Sequence, residues 1–183
     1  MIQIADKQFE IFIDRHEIAD IISRLAAEIS NDLRDKDPLF CPVLSGSFMF
    51  ATDLVRALDF DPEISFVKYG SYVGTQSSGV VNEMMGFPDL VEGRNVLIVE
   101  DIIESGISMN TMLNRLAEKH PASVRVCTLM HKPDMLRCKV QMDYIGRCIP
   151  NAFIVGYGFD YDGHGRTYPD IYSLVSNDNN NKK

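Results

Sequence analysis

Val96-Leu97-Ile98-Val99-Glu100-Asp101-Ile102-Ile103-Glu104-Ser105-Gly106-Ile107-Ser108 decides the fold of this chain, because an apolar run ends abruptly in two carboxylates and a turn of small residues. Val96 to Val99 are aliphatic without alternation, the pattern of a strand covered on both faces, as in a parallel sheet between helices. Ser105, Gly106 and Ser108 are small or hydroxylic, so backbone N–H groups there can turn toward an anion at the start of a helix. Met109, Met112, Leu113, Leu116 and Ala117 then recur at helical spacing, and Pro121 closes the run. The stretch is expected to be strand, anion-binding loop and helix. That is the repeating unit of a doubly wound α/β fold with a mostly parallel sheet flanked by helices.

Glu100 and Asp101 narrow the choice of anion. Carboxylates beside a phosphate repel it unless they accept hydrogen bonds from sugar hydroxyls or hold a divalent cation, and a ribose 5-phosphate meets both conditions. The plain alternative is an exposed acidic pair followed by a helix capped at Ser108; the ordered run of apolar strand, acids and small-residue turn weighs against it. No Gly-Lys-Ser/Thr ends the turn, so it is not a P-loop, and no G-x-G-x-x-G follows the strand.

Composition bounds the rest. With 183 residues and 45% hydrophobic content the chain can bury one good-sized core, so one domain is expected over residues 1–175. The Asn-rich stretch 176–183 is expected to be a disordered tail. A formal net charge of −8 and a pI near 4.9 argue against a nucleic-acid or anionic-membrane surface, both of which favour basic patches. An anionic substrate therefore needs local help, most simply from Mg²⁺. Cys41, Cys127, Cys138 and Cys148 form no C-x-x-C pair, which suits reduced thiols in a cytoplasmic protein better than a zinc site. The start lacks the basic and apolar regions of a signal peptide, and no run approaches the ~18 apolar residues that span a bilayer.

Away from the central stretch, Phe9 to Ile13 is expected as a short strand, and Asp14-x-x-Glu17 as the cap of a helix striped by Ile18, Ile21, Ile22, Leu25, Ala26, Ile29 and Leu33. Leu39 to Leu44 is a further apolar strand, followed by Ser45-Gly46-Ser47 and an apolar helix from Phe48 to about Leu58. That turn can present amides to an anion or be an ordinary connector. Ile64 to Val67 is expected as the next strand. The polar, glycine-bearing segment after it runs to about Gly93 without periodicity, too long for a passive connector and therefore expected to be a mobile lid. Ser123 to Met130 is a strand that delivers His131 and Lys132 at its carboxyl end, where ligands collect in such sheets. Phe153 to Tyr161 is expected as an aromatic strand with Asp160 near its end, and Tyr168 to Val175 as a last strand returning to the N-terminal portion.

The central stretch, with its acid pair, Ile102-Ile103, a third carboxylate and Ser-Gly-x-Ser, resembles the phosphoribosyl diphosphate signature of type I phosphoribosyltransferases. It resembles in particular the form found in hypoxanthine-guanine phosphoribosyltransferases. The resemblance extends over about Leu39 to Tyr172. It implies a core over about 39–135 and a hood from about 1–13 and 140–175. It also implies that Glu100, Asp101, Ser105, Gly106, Ile107 and Ser108 bind ribose 5-phosphate. Ser45, Gly46 and Arg166 would bind diphosphate, with a non-proline cis peptide often found between the residues matching Leu44 and Ser45. Lys132, Phe153 and Ile154 would bind the purine, and Ser71-Tyr72 would belong to the lid. Glu100, Asp101 and Asp160 would face Mg²⁺. Glu104 would be the base that takes the N7 proton. Two departures stand out: Glu104 where the family usually places aspartate, and Ser45 where many members carry lysine.

The implied activity is purine salvage, joining hypoxanthine or guanine to phosphoribosyl diphosphate, in a homodimer or homotetramer. Two alternatives stand beside it. One is a xanthine-preferring transferase; adenine is disfavoured because its 6-amino group would face the Lys132 donor. The other is a non-catalytic regulator that binds phosphoribosyl diphosphate, against which Glu104, Lys132 and Phe153 speak together, since a sensor needs no base pocket.

Overall fold

The computed structural model describes residues 1–71 and 81–175, so Tyr72 and the 176–183 tail lie outside the described residues. In chain order the elements are β1 (Ile2–Ile4), β2 (Lys7–Ile13), α1 (Arg15–Leu33), β3 (Pro38–Leu44), α2 (Phe48–Ala57), β4 (Glu63–Ile64), β5 (Val67–Ser71) and β6 (Val81–Met85). They continue with β7 (Asn95–Ile103), α3 (Ile107–Ala117), β8 (Ser123–His131), β9 (Tyr144–Cys148), β10 (Ile154–Val155) and β11 (Ile171–Leu174). The main sheet runs β6-β5-β3-β7-β8-β9, with β4 also on β3, and every pairing is parallel except β5 with β6.

The unalternating run of β7 follows from its position. Leu97 and Val99 pack on one face with Ile22, Leu25 and Ile29 of α1 and Phe50 of α2. Val96 and Ile98 pack on the other with Met109, Met112 and Leu116 of α3. Both faces are dry, so neither register of a two-residue period is polar. The Asp14 carboxylate starts α1 by accepting from the backbone N–H groups of His16 and Glu17 at 2.8 and 2.9 Å. Glu17 does not complete a capping box, because its side chain pairs with Arg147 of β9.

Four expectations need correction. Ile64 to Val67 is two strands: β4 and β5 keep one register against β3, and Ser65 N–H still donates to the Phe40 carbonyl at 2.9 Å, but Phe66 is unpaired with β3 and exposed. The aperiodic stretch does not run to Gly93, since Val81–Met85 pairs antiparallel with β5 at the open edge of the sheet. Glu83, Met84 and Met85 are all exposed there, and the lack of a buried face erased the alternation. Of the stretch Phe153 to Tyr161 only Ile154 and Val155 are strand; Gly156 (φ 94°), Tyr157 (φ 47°) and Gly158 (φ 101°) then turn the chain in the left-handed region. Finally, Tyr144–Cys148 pairs with β8, so part of the segment assigned to the hood from 140 belongs to the main sheet. The hood is the antiparallel sheet β1-β2-β11-β10 over a small core of Ile4, Phe9, Val155 and Tyr172. Among the described residues no helix is long and apolar enough to cross a membrane.

Candidate active site

From β3 the chain moves through α2 to β5 on one side, and from β7 through α3 to β8 on the other. The carboxyl ends of β3 and β7 are therefore a topological switch point, where open α/β sheets leave a crevice. Two adjoining cavities lie there. One, of about 290 Å³, is bounded by Gly46, Tyr69, Glu100, Asp101, Asp160 and Arg166. The other, of about 150 Å³, is bounded by Glu100, Glu104, Ser105, Gly106 and Ser108. Glu100, Ile102 and Ser108 face both. The acid pair, the small-residue turn and the implied diphosphate residues Gly46 and Arg166 thus meet in one crevice.

On the β3 side the Leu44–Ser45 peptide is cis, and two glycines there are approached closely, Gly46 by a side chain and Gly158 by backbone. A Cβ on Gly46 would stand 1.7 Å from Oδ2 of Asp101, and one on Gly158 would stand 2.0 Å from the Gly46 carbonyl oxygen. The turn after β10 is thereby seated on the turn after β3. Arg166 bonds Asp160 at 2.6 Å and donates to the Gly158 carbonyl at 2.6 Å, while the other Asp160 oxygen accepts from Gly163 N–H at 2.8 Å. Asp160 therefore borders the cavity as the partner of Arg166.

Glu100 and Asp101 carry the electrostatics. Burial, followed by the neighbouring Asp101 charge, pushes the Glu100 carboxyl well above its ordinary range. Burial also raises Asp101, against the opposing hydrogen bond from Ile102 N–H at 2.9 Å and the Arg166 charge. Two hard oxygen donors disfavoured as anions, side by side at a cavity wall, fit a divalent cation, whose charge would offset both. Among the described residues no group of three or more His, Cys, Asp or Glu side chains could hold a metal unaided. The protein fits a cation that takes its remaining oxygens from substrate and water, as Mg²⁺ does.

The turn after β7 owes its shape to Gly106 (φ 77°), where a Cβ would meet the Cys138 carbonyl oxygen at 2.9 Å. The segment behind it braces the turn, since the Ser105 carbonyl accepts the backbone N–H groups of Arg137 and Cys138 at 2.9 and 3.3 Å. In the first turn of α3 the Ile107 N–H donates to Ser105 Oγ at 3.3 Å, and the Ser108 N–H lacks an intrahelical partner by construction. Glu104, half exposed, forms an ion pair with Lys132, whose side chain is 6% exposed. Lys132 is therefore not the solvated lysine that its residue type suggests.

The other implied residues lie further off. Ile154 is buried in the hood, and Phe153 is 46% exposed with its ring 5.8 Å from Tyr161 and 6.2 Å from Phe9. Phe153 borders a separate cavity with Glu10 and Ser173, not the one bordered by Glu104. Ser71 ends β5 at the edge of the crevice, next to Gly70. Sequence reasoning missed Tyr69 and Met112, which wall the larger cavity, and took His131 as incidental, whereas its buried ring bonds the Ile103 carbonyl at 3.0 Å just before Glu104. Nothing in the sequence around Tyr69, in the middle of β5, pointed to it.

Comparison with known proteins agrees with this geometry. Residues 10–162 match the family model described as a phosphoribosyl transferase domain. The chain is 40% identical over 171 residues to the hypoxanthine-guanine phosphoribosyltransferase of Mycobacterium avium, covering 90% of this chain and 84% of that one. It is 39% identical over 162 residues to the hypoxanthine-guanine-xanthine phosphoribosyltransferase of Tritrichomonas foetus, covering 88% of each. A crystal structure of a Bacillus anthracis hypoxanthine-guanine phosphoribosyltransferase superposes with a TM-score of 0.85 at 31% identity, over 93% of this chain and 99% of that one.

Proposed function

The chain belongs to the phosphoribosyl transferase family, and from that premise we propose that it moves the 5-phosphoribosyl group of phosphoribosyl diphosphate to N9 of hypoxanthine or guanine. The products are IMP or GMP and diphosphate. The observation that carries this reading is the Glu104–Lys132 pair set beside the cavity of Glu100 and the Ser105–Ser108 turn, with Asp101 in the adjoining one: a base and a purine donor next to a sugar-phosphate cradle.

In the reaction, N9 bonds to C1 of the ribose as the C1–oxygen bond to diphosphate breaks. The α3 amides at Ile107 and Ser108, with Ser105 and Gly106, hold the 5-phosphate, and Glu100 and Asp101 accept from the ribose hydroxyls. The amides of Ser45 and Gly46 and the Arg166 guanidinium meet the negative charge that grows on the leaving group. Glu100 and Asp101 would hold Mg²⁺, whose charge would offset that of the diphosphate, while Asp160, expected to face the cation, is engaged by Arg166 and the Gly163 N–H and acts through Arg166. Lys132 donates to the purine 6-oxo oxygen and Glu104 takes the N7 proton, while stacking by Phe153 and edge reading by backbone groups at Ile154 rest on the family resemblance, since Phe153 borders a separate cavity. Adenine would set a donor against a donor at Lys132 and be refused.

Four free cysteines suit a reducing, cytoplasmic setting for this enzyme. It is read as a homodimer or homotetramer, for which the exposed apolar Phe48, Ile64 and Phe66 offer surface. Xanthine is a second acceptor to consider, because the Tritrichomonas relative is named for all three bases. An assay that follows absorbance with each purine, phosphoribosyl diphosphate and Mg²⁺ decides. Turnover is expected with hypoxanthine and guanine and not with adenine. Binding of phosphoribosyl diphosphate without turnover of any base would establish the non-catalytic regulator instead.

A further inference from the structure

Building on that reading, we propose that the Glu104–Lys132 ion pair is the device that expels the product nucleotide: the two side chains close on each other when the purine leaves, and the purine must part them to stay. The Lys132 side chain is 6% exposed, and an ammonium at such a site is costly unless a partner faces it at all times. With no purine, the partner is the Glu104 carboxylate. With a 6-oxopurine in place, it is the 6-oxo oxygen.

The incoming base and the outgoing nucleotide differ in what they offer Glu104. A free 6-oxopurine carries hydrogen on N7, which the carboxylate accepts in exchange for the lysine it gives up. Once N9 has bonded to the ribose, that proton has passed to Glu104, and N7 presents only a lone pair. Glu104 is half exposed, so the proton moves on to water and the carboxylate becomes an anion again. An anion then faces the N7 lone pair on one side and the Lys132 ammonium on the other. Repulsion from N7 and attraction to Lys132 act in the same direction, pulling the lysine off the 6-oxo oxygen. The pair opens for substrate with compensation and closes on product without it.

Length matters here. A glutamate at 104 reaches Lys132 across from the β8 end, and an aspartate would fall short by one methylene, over an ångström. The geometry therefore makes residue 104 a determinant of product affinity as well as a base.

The test measures IMP binding by titration calorimetry, with no reaction in progress. IMP is expected to bind Glu104→Gln about ten-fold more tightly than the parent chain and Glu104→Asp several-fold more tightly, with phosphoribosyl diphosphate affinity unchanged in both. Lys132→Met is expected to weaken IMP binding. In the double variant, Glu104→Gln should tighten IMP binding clearly less over Lys132→Met alone than it does in the parent chain, because relief of the N7 repulsion remains but no pair is left to be parted. Unchanged or weaker IMP binding in both Glu104 variants would overturn the proposal. So would equal tightening on the Lys132→Met background, which would trace the gain to a direct contact between the introduced side-chain amide and N7. A parent chain that binds IMP and makes it while the variants fail to tighten leaves the transferase reading standing. A parent chain that neither makes nor binds IMP removes both.

Discussion

At Gly46 the site depends on the absence of a single methyl group. An added Cβ would lie 1.7 Å from Oδ2 and 2.5 Å from Cγ of Asp101, so the carboxylate would have to swing away and give up the bond from Ile102 N–H. Gly46 does not occupy the left-handed region, so alanine there brings no backbone strain and removes some freedom from the unfolded chain, worth ~0.4–1 kcal/mol. Gly46→Ala is therefore expected to leave thermal stability within about 2 °C while kcat/KM for phosphoribosyl diphosphate falls about 100-fold, the scale of a 1 Å misplacement. A melting curve and steady-state kinetics on the same preparation separate the two effects, and unchanged kinetics would show that Asp101 does not need its position. In the sequence Gly46 is simply a turn residue. The carboxylate it must clear lies at the end of β7, and neither local pattern nor spacing reports a contact across β3 and β7. Glu104 and Lys132 were legible as separate candidates for the same reason that their pairing was not: each sits at a strand end, and only the β7–β8 register brings them together.

Among elements, the hood and the main sheet are coupled through Asp170, just ahead of β11. Its carboxylate, 3% exposed as a residue, accepts Arg15 Nε and Nη2 at 3.0 and 2.9 Å and the Arg15 backbone N–H at 2.9 Å, tying β11 to the first turn of α1. These hydrogen bonds, with Arg15 first among the causes, hold the Asp170 carboxyl below its ordinary value of 3.8. The folded state then binds fewer protons than the unfolded state around pH 4. The stabilisation is complete above the ordinary carboxylate value and is lost as pH falls through the lower folded one. Asp170→Asn keeps the shape and removes the charge, so it should cost about 2 kcal/mol in urea unfolding at pH 7 and less at pH 3, below the ordinary carboxylate value. An equal cost at both would deny the charge any role. Elements with two dry faces or one dry stripe, β7 and α1, were legible from residue pattern alone. The hairpin of β5 and β6 was not, because an edge strand with Glu83, Met84 and Met85 all in water carries no period to read. The turn after β10 was misread as strand for the opposite reason: its aromatic residues are buried, but Gly156 and Gly158 bend the backbone that carries them.

On the scale of the whole molecule, charge works against the reaction that the crevice is built for. The chain carries a net −8, and phosphoribosyl diphosphate is itself a polyanion, so their encounter is repulsive until the substrate reaches the Ser105–Ser108 turn, Arg166 and the cation site. Composition made this legible before any fold was known; the placement of the few compensating groups at the carboxyl ends of β3 and β7 was not, since it depends on the order of the strands. The long-range part of the repulsion is screened over a Debye length that falls from about 30 Å at 0.01 M salt to about 8 Å at 0.15 M. The contacts inside the crevice act over a few ångströms and are screened far less. Raising monovalent salt across that range at fixed free Mg²⁺ should therefore increase kcat/KM for phosphoribosyl diphosphate about two- to three-fold, the reverse of a basic enzyme meeting the same substrate. Hypoxanthine, neutral at pH 7, should show no such rise in the same assay. A fall for phosphoribosyl diphosphate would mean that attraction local to the crevice governs capture from well outside it, and that the net charge of the chain is irrelevant to the approach.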